Sequence, residues 1–556
     1  MRRWNGWGDT TVGLELNEAA LGFLAERVGA GQPTADVALS AALAQVDAQA
    51  SRLPPHPRVS TDAEQRLRAS FGQSLGDWLR LRFGRLGRIT DGVAWPESND
   101  ELRELLAWAG TVGAIVIPCG GATSVVGHLT PPEGERPVLT LMLGRLRRLL
   151  ALDPQAQLAT FQAGVAGPDL EAQLRAQGWT LGHYPQSFEY ATLGGWIVTR
   201  SSGQQSARYG RIETMFAGGT LETPTGPLVI PPFPASAAGP DLREWVLGSE
   251  GRLGVLTEAT VRVQRLPERE AFIGVFLPSW AAGEAAAREL AQARLGLSML
   301  RLANPTETVT TLALAGHANA IAWLERALRW RGCGEGKVLL MLGLTGGTAQ
   351  VSAMRSQAKA ILRRHGGVST GTLLGRKWQA NRFRGVYLRN ALWERGYAVD
   401  TMETAVDWPR VGATMAAMEQ AGRAALAAFG ERCHAYTHLS HVYAQGSSVY
   451  STFVFRIGDD FDSAWARWTA LKRAVSEAVV RHGGTISHQH GVGRDHAPYL
   501  AAEKGARGLR AMQALVDHFD PHGLMASGNL LPDVGPVAAP AAPAAPRVPA
   551  TSDEPH

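Results

Sequence analysis

Four residues between positions 389 and 490, Arg389, Tyr450, His488 and His490, carry side chains able to hold anions or move protons. An arginine offers a planar fork of donors that fits phosphate or carboxylate in a way lysine does not. Taken alone, Arg389 reads rather as one half of a surface ion pair than as an anion holder. Tyr450 lies in THLSHVYAQGSSVYSTFVFRI, where the alternation of Val449, Ser451, Phe453 and Phe455 puts Tyr450, Thr452 and Val454 on the other face of a strand. A phenol with an ordinary pKa of ~10 is a poor base at neutral pH unless cations or donors stabilise the phenolate. Arg389 and the histidines are the candidates for that task; the plain alternative is a core tyrosine bonded to backbone. His488 and His490, two apart, point the same way if their segment is extended. A metal set of His488, His490 and His496 lacks an acidic or sulfur ligand at useful spacing, so no metal is expected.

Three further segments are rich in glycine and small hydroxyl residues. The first follows the apolar strand Ala114–Ile117 as Pro118-Cys119-Gly120-Gly121-Ala122-Thr123-Ser124, and a strand ending this way builds a nest of backbone N–H groups suited to a pyrophosphate. It is neither a Walker loop, since no lysine follows the glycines, nor a G-x-G-x-x-G turn. The second, Leu181–Gly218, is too irregular for a helix face or an alternating strand and reads as a wrapping loop. The third is the glycine turn and β-prone run of Leu247–Val263, LGSEGRLGVLTEATVRV. Together they imply one large phosphate-bearing ligand gripped from several sides.

The elements that must position these residues can be read in outline. At 556 residues the chain exceeds a single core, and its 45% hydrophobic and 19% charged content fits a globular enzyme of two or three domains. The net charge of +5 is spread along the chain, so nucleic acid is not implied, whereas an anionic substrate or peripheral membrane contact is compatible with it. Three scattered cysteines argue against a disulfide framework or a zinc site, and no apolar run or signal core suggests a membrane span, which points to the cytoplasm. Residues 1–89 read as an N-terminal helical segment whose opening Trp4–Gly8 is tied down against a domain. Within it, WLRLRFGRLGRI reads as a solvated basic face on a packed segment. Residues 90–267 form the ligand-binding region, beginning with a helix N-capped near Ser98. Residues 268–455 alternate strands and helices as a cap, 456–532 form a helical region that completes the site, and 533–556 are a disordered Pro/Ala tail without a peroxisomal tripeptide.

The ordered motifs P-x-G-G-x-T-S, L-G-H-x-P-x-S-x-E-x-x-T-x-G-G-W, T-R-x-S-G, Y-G-x-I-E and G-S-E-G-x-L-G-V-x-T-E-A-T resemble the PCMH-type flavin domain of the vanillyl-alcohol-oxidase superfamily. With W-N-G-W-G at Trp4–Gly8 and H-x-H-G-V-G at His488–Gly493, the chain most resembles the alkyldihydroxyacetonephosphate synthases. The resemblance implies an α+β fold: an FAD-binding domain of two α/β subdomains, plus a cap with a mainly antiparallel sheet and flanking helices. FAD would be held by Pro118, Cys119, Gly120, Gly121, Ala122, Thr123 and Ser124; by Gln186, Ser187, Thr192, Gly195, Thr199, Arg200, Ser201 and Ser202; and by Glu250, Gly251, Leu253, Gly254, Val255 and Leu256. Arg200 has a duller alternative in an ion pair. Gln186 and Ala191 depart from the family pattern, and with no histidine in the Pro118–Ser124 loop the FAD would be non-covalent.

By the same resemblance Tyr450 transfers the proton at the substrate carbon. Arg389, nineteen positions before Trp408, binds substrate phosphate; His488 and His490 assist; and Arg301 supports the site. The implied activity exchanges the acyl group of acyl-dihydroxyacetone phosphate for a fatty alcohol in ether lipid synthesis. The flavin acts as an electron sink and trap without net redox change, and a tunnel takes the alkyl chain. A homodimer acting on a small-molecule lipid is expected. Gln489, where the family has a middle histidine, keeps open an FAD-linked dehydrogenase of a 2-hydroxy acid, with His490 as base and Arg389 on the carboxylate. A non-catalytic flavin- or lipid-binding protein is the third reading.

Overall fold

The computed structural model describes residues 1–314 and 318–531; the tail expected over 533–556 lies outside them. Three main sheets follow one another along the chain. The first has the order Val59–Ser60, Gly92–Ala94, Val138–Met142, Ile115–Cys119, its last three strands parallel. Ile115–Cys119 comes straight from the helix Asn99–Thr111, whose N-cap Ser98 accepts the amide of Glu101. The second sheet is antiparallel, in the order Leu149–Asp153, Leu158–Gln162, Val255–Arg262, Phe216–Thr223, Gly226–Ile230.

The cap is a seven-stranded antiparallel sheet in the order Val368–Ser369, Arg269–Leu277, Val338–Gly346, Met299–Ala303, His434–Leu439, Gly446–Arg456, Tyr397–Asp407. Helices cover both of its faces, which is why KVLLMLGL reads as an unbroken apolar run. Leu340 and Leu342 join one core, Leu339 and Met341 another. The first of these cores also takes in Phe161, Leu256 and Val261 of the second sheet, so cap and loop-bearing domain share one continuous apolar interior. That shared packing fixes the cap strands over the glycine loops.

Two expectations need revision. The Leu181–Gly218 stretch is not a plain loop: it holds short helices at Leu193–Val198, Ser206–Tyr209 and Ile212–Met215 before the strand that starts at Phe216. The first is started by Thr192, whose hydroxyl accepts the amide of Gly195. The basic segment after Leu75 is not a solvated face throughout. Arg82 is buried, pairs with Asp36 at 3.0 Å and lies between the rings of Trp78 and Trp393. Among the described residues, no helix is long and apolar enough to cross a membrane.

Several histidines are enclosed by this packing. Burial pushes His183, beside the Trp196 ring, down to about 3, His434 to about 4 and His496 to about 3, from 6.5. An unfolded chain takes up these protons near 6.5, so between 6.5 and 4 the unfolded state binds more protons and stability is lost as the pH is lowered. Asp77, raised by burial to about 6 from 3.8, works in the opposite sense over part of the same window and offsets only a share of the loss. Scanning fluorimetry should therefore show a melting temperature roughly 5 °C or more lower at pH 4.5 than at pH 7. A flat or rising profile on acidification would contradict this assignment.

Candidate active site

The glycine loops and the cap enclose a cavity of about 530 Å³. On the loop side its wall includes Pro118, Gly120, Gly121, Ala122, Thr123 and Ser124; Gln186, Ser187, Thr192, Gly195, Thr199, Ser201 and Ser202; and Glu250, Gly251, Gly254 and Leu256. Gly121 is required by close approach, since a Cβ there would lie 1.8 Å from the Tyr190 carbonyl oxygen. Several buried polar atoms of the wall have no protein partner, among them Ser202 Oγ, Trp196 Nε1 and Gln489 Oε1. Buried polar atoms are normally satisfied, and a large polar, phosphate-bearing cofactor would satisfy these. The residues present thus fit FAD.

Four residues expected at the cofactor do not reach the cavity. Cys119 packs with Ile115 and Ile117, and burial raises its thiol to about 11. Leu253 and Val255 are buried in apolar clusters. Arg200 turns outward to Glu244 and to the carbonyl of Leu247.

On the cap side, Tyr450 is central. The adjacent strand residue His438 stacks on its ring at 4.8 Å between centroids, and His490 stands edge-on at 5.7 Å. His438 Nδ1 is 2.9 Å from Glu307, which also pairs with Arg301 at 2.6 Å. Burial would raise the Glu307 carboxyl, but the charges of His438 and Arg301 outweigh it and hold the group at about 2. Arg389 enters from the short helix Leu388–Trp393, lies over the Trp78 ring at 4.4 Å and donates to the Gln73 carbonyl at 2.7 Å. It is no surface ion-pair partner: it borders the cavity, and burial lowers its pKa. Trp378, Val386, Leu388, Leu392 and Val399 make another part of the wall apolar.

The surroundings of Tyr450 do not favour the phenolate. Burial raises its pKa to about 12; Thr401 and Arg389 pull it down, Glu403 and Asp400 push it up. The resting group is a protonated phenol.

The two histidines have different fates, because their segment is a bend rather than an extended strand. It wraps around Glu403, a buried residue of the Tyr397–Asp407 strand whose Oε1 accepts the amides of His488, Gln489 and His490 at 3.0, 2.8 and 3.1 Å. Both imidazole Nδ1 atoms lie 3.5 Å from the same carboxylate. Burial works against its charge, yet His490, His488 and the amides hold Glu403 well below the usual carboxylate range. His490 borders the cavity. His488 turns away, its Nε2 2.7 Å from both Arg211 Nη1 and the Tyr443 hydroxyl. Since the guanidinium only donates, Nε2 is an acceptor and the His488 proton sits on Nδ1, facing Glu403. Farther along the same loop, Glu250 accepts the amides of Val492 and Gly493 and lies 2.9 Å from His128.

Sequence reasoning missed Glu403, His438 and Glu307. The only available signal was an acidic residue inside the β-prone run YAVDTMETAVD and a histidine in the strand before Tyr450.

Comparison with known proteins agrees with this geometry. Residues 90–230 match the family model described as an FAD binding domain, and residues 266–530 match that of the C-terminal domain of FAD linked oxidases. The alkyldihydroxyacetonephosphate synthase of Dictyostelium discoideum is 29% identical, over 86% of this chain and 79% of that protein. That of Trypanosoma brucei brucei is 29% identical over 95% and 92%. A solved alkyldihydroxyacetonephosphate synthase structure superposes with a TM-score of 0.78 at 25% identity, covering 94% of this chain and 98% of that one. These two FAD-family matches, with relatives similar along nearly the whole length, make the chain an FAD-linked oxidase-type flavoprotein, with FAD as its cofactor, that is similar in sequence and fold to the alkyldihydroxyacetonephosphate synthases.

Proposed function

We propose that this flavoprotein exchanges the acyl group of acyl-dihydroxyacetone phosphate for a fatty alcohol, with FAD bound non-covalently. The observation that carries the reading is the placement of Tyr450, His490 and Arg389 on one cavity that also has an apolar wall. Bound FAD supplies an electron sink at the substrate carbon, and no net oxidation results. Arg389, buttressed by Trp78 and the Gln73 carbonyl, holds the phosphate as a fixed cation.

Tyr450 and His490 divide the proton work. With its phenol protonated, Tyr450 takes the proton from the carbon bearing the acyl group only as it passes its own to a neighbour. His490 is that neighbour: burial depresses its pKa, so the ring is neutral at pH 7, and its Nδ1 faces Glu403. Nε2 is left as the acceptor. The acyl group departs as its carboxylate, the alcohol oxygen takes its place on the same carbon as its hydroxyl proton leaves with the fatty acid, and the pair returns to that carbon the proton it took. Arg301 acts on the His438 ring that braces Tyr450, through Glu307 and by its own 3.2 Å contact with His438 Nδ1.

The purified holoenzyme given fatty alcohol and acyl ketone phosphate should release an ether product. Tyr450→Phe should lower kcat by about 10²-fold or more with FAD retained, and Arg389→Lys should act chiefly on KM. Absence of ether product from the FAD-loaded protein, with bleaching of the flavin by a 2-hydroxy acid instead, would sink this reading in favour of a dehydrogenase. Indifference of every activity to Tyr450→Phe would point to a binding protein.

A lipid substrate also calls for a lipid-facing surface. The helix Ala318–Trp330 exposes Trp323 and Trp330 at 71% and 84%, seven positions apart and so on one face, and a second helix, Leu373–Asn381, exposes Leu373 at 72%. Arg326, Arg329, Arg331, Arg376 and Lys377 are exposed on the same two helices or just beyond them. Both helices pack on one apolar cluster, and Trp378 of the second borders the cavity. Tryptophan with basic residues suits an anionic bilayer surface. The protein should co-sediment with phosphatidylserine-containing vesicles, and the double variant Trp323→Ala/Trp330→Ala should lose most of that binding while keeping its FAD. Equal sedimentation of the two proteins would refute the assignment.

A further inference from the structure

The N-terminal W-N-G-W-G motif has no part in the chemistry above, yet it is built into the site. Residues Met1–Asp9 fold back on themselves through an Arg2–Asp9 bridge, with the terminal amino group 2.8 Å from Asp9. The hairpin is fastened to both walls of the cavity. On the loop side Arg2 donates to the Gly121 carbonyl at 2.6 Å and its guanidinium lies over the Tyr190 ring at 4.8 Å. On the cap side Asn390 clamps both ends of Trp7, accepting its amide at 3.2 Å and donating to its carbonyl at 2.9 Å. Gly8, at φ +78°, passes under Tyr387 so closely that a Cβ would lie 2.3 Å from the ring.

The clamp presents Trp7 at the cavity. The residue is 4% exposed, meets Tyr190 edge-on at 5.6 Å and borders the cavity together with Gly121, Gln73 and Arg389. Its Nε1 is buried and has no partner. A buried indole N–H normally finds an acceptor, and packing on Tyr190 alone would be served as well by phenylalanine. We propose that Trp7 is a ligand-binding residue whose indole N–H donates to a phosphate oxygen: either of the FAD pyrophosphate at the Pro118–Ser124 loop or of the ketone phosphate at Arg389. The N-terminal hairpin is then a structural part of the site. This inference rests on the cofactor and substrate assigned above.

Trp7→Phe keeps the ring and removes the donor. Two affinities decide the matter: FAD binding to apoprotein, read by quenching of flavin fluorescence, and acyl ketone phosphate binding to holoprotein, read by perturbation of flavin absorbance. Loss of one such bond should raise one of the two Kd values about tenfold, with the other and the melting temperature unchanged; which one rises identifies the phosphate. No change in either overturns the proposal, and so does a rise in both with a lower melting temperature, which signals lost packing. If the variant does not fold, the Trp7 indole N–H signal of ¹⁵N-tryptophan-labelled protein serves instead. A downfield shift on adding FAD or ketone phosphate supports the assignment, and no shift with either overturns it. Wild-type uptake of FAD, measured alongside, tests the cofactor reading separately.

Discussion

The site depends on two buried carboxylates that grip one loop by its backbone. Glu403 of the cap takes the amides of His488, Gln489 and His490, and Glu250 of the flavin domain takes those of Val492 and Gly493. A buried carboxylate without partners would be strongly destabilising, whereas one ringed by N–H donors is stable and rigid. Because Glu403 belongs to the cap sheet and Glu250 leads into the Val255–Arg262 strand of the second sheet, the loop is a rivet between the two. The glycines of H-Q-H-G-V-G make that possible: at Gly491 a Cβ would stand 2.9 Å from Glu250 and 3.1 Å from His128.

From this constraint the chemistry follows. A loop held at its amides brings His490 to the cavity edge beside Tyr450, while His488 turns to Arg211 and Tyr443. Glu403 also faces the Nδ1 of each ring at 3.5 Å. The cap strand that carries Glu403 pairs directly with the one that carries Tyr450, Glu403 lying opposite Tyr450 in register. Acid, base and flavin loops are therefore set by one sheet and one rivet, and the apolar core shared by cap and flavin domain keeps both in place.

Much of this was legible in the sequence where the signal is local. Glycine and hydroxyl loops after strands announce a phosphate-bearing ligand, and the residues expected at the cofactor within 118–124 and 186–202 line the cavity, Cys119 and Arg200 excepted. The alternation around Tyr450 placed it on the right face. What escaped notice was long-range. The roles of Glu403, Glu307 and His438 depend on partners 85, 131 and 137 positions away, which no spacing rule reports. The same limit explains His488, whose direction is set by Arg211. It also explains the phenol of Tyr450, whose expected stabilisation by cations is outweighed by burial.

The central claim is that Glu403 and Glu250 hold the loop, and hydrogen exchange at the loop's own amides tests it most directly. In the wild-type protein the amides of His488, Gln489, His490, Val492 and Gly493 should exchange slowly. Glu403→Gln should speed exchange at the first three, and Glu250→Gln at the last two, with the strand cores unchanged. Fast exchange at all five in the wild type, or identical exchange in both variants, would contradict it.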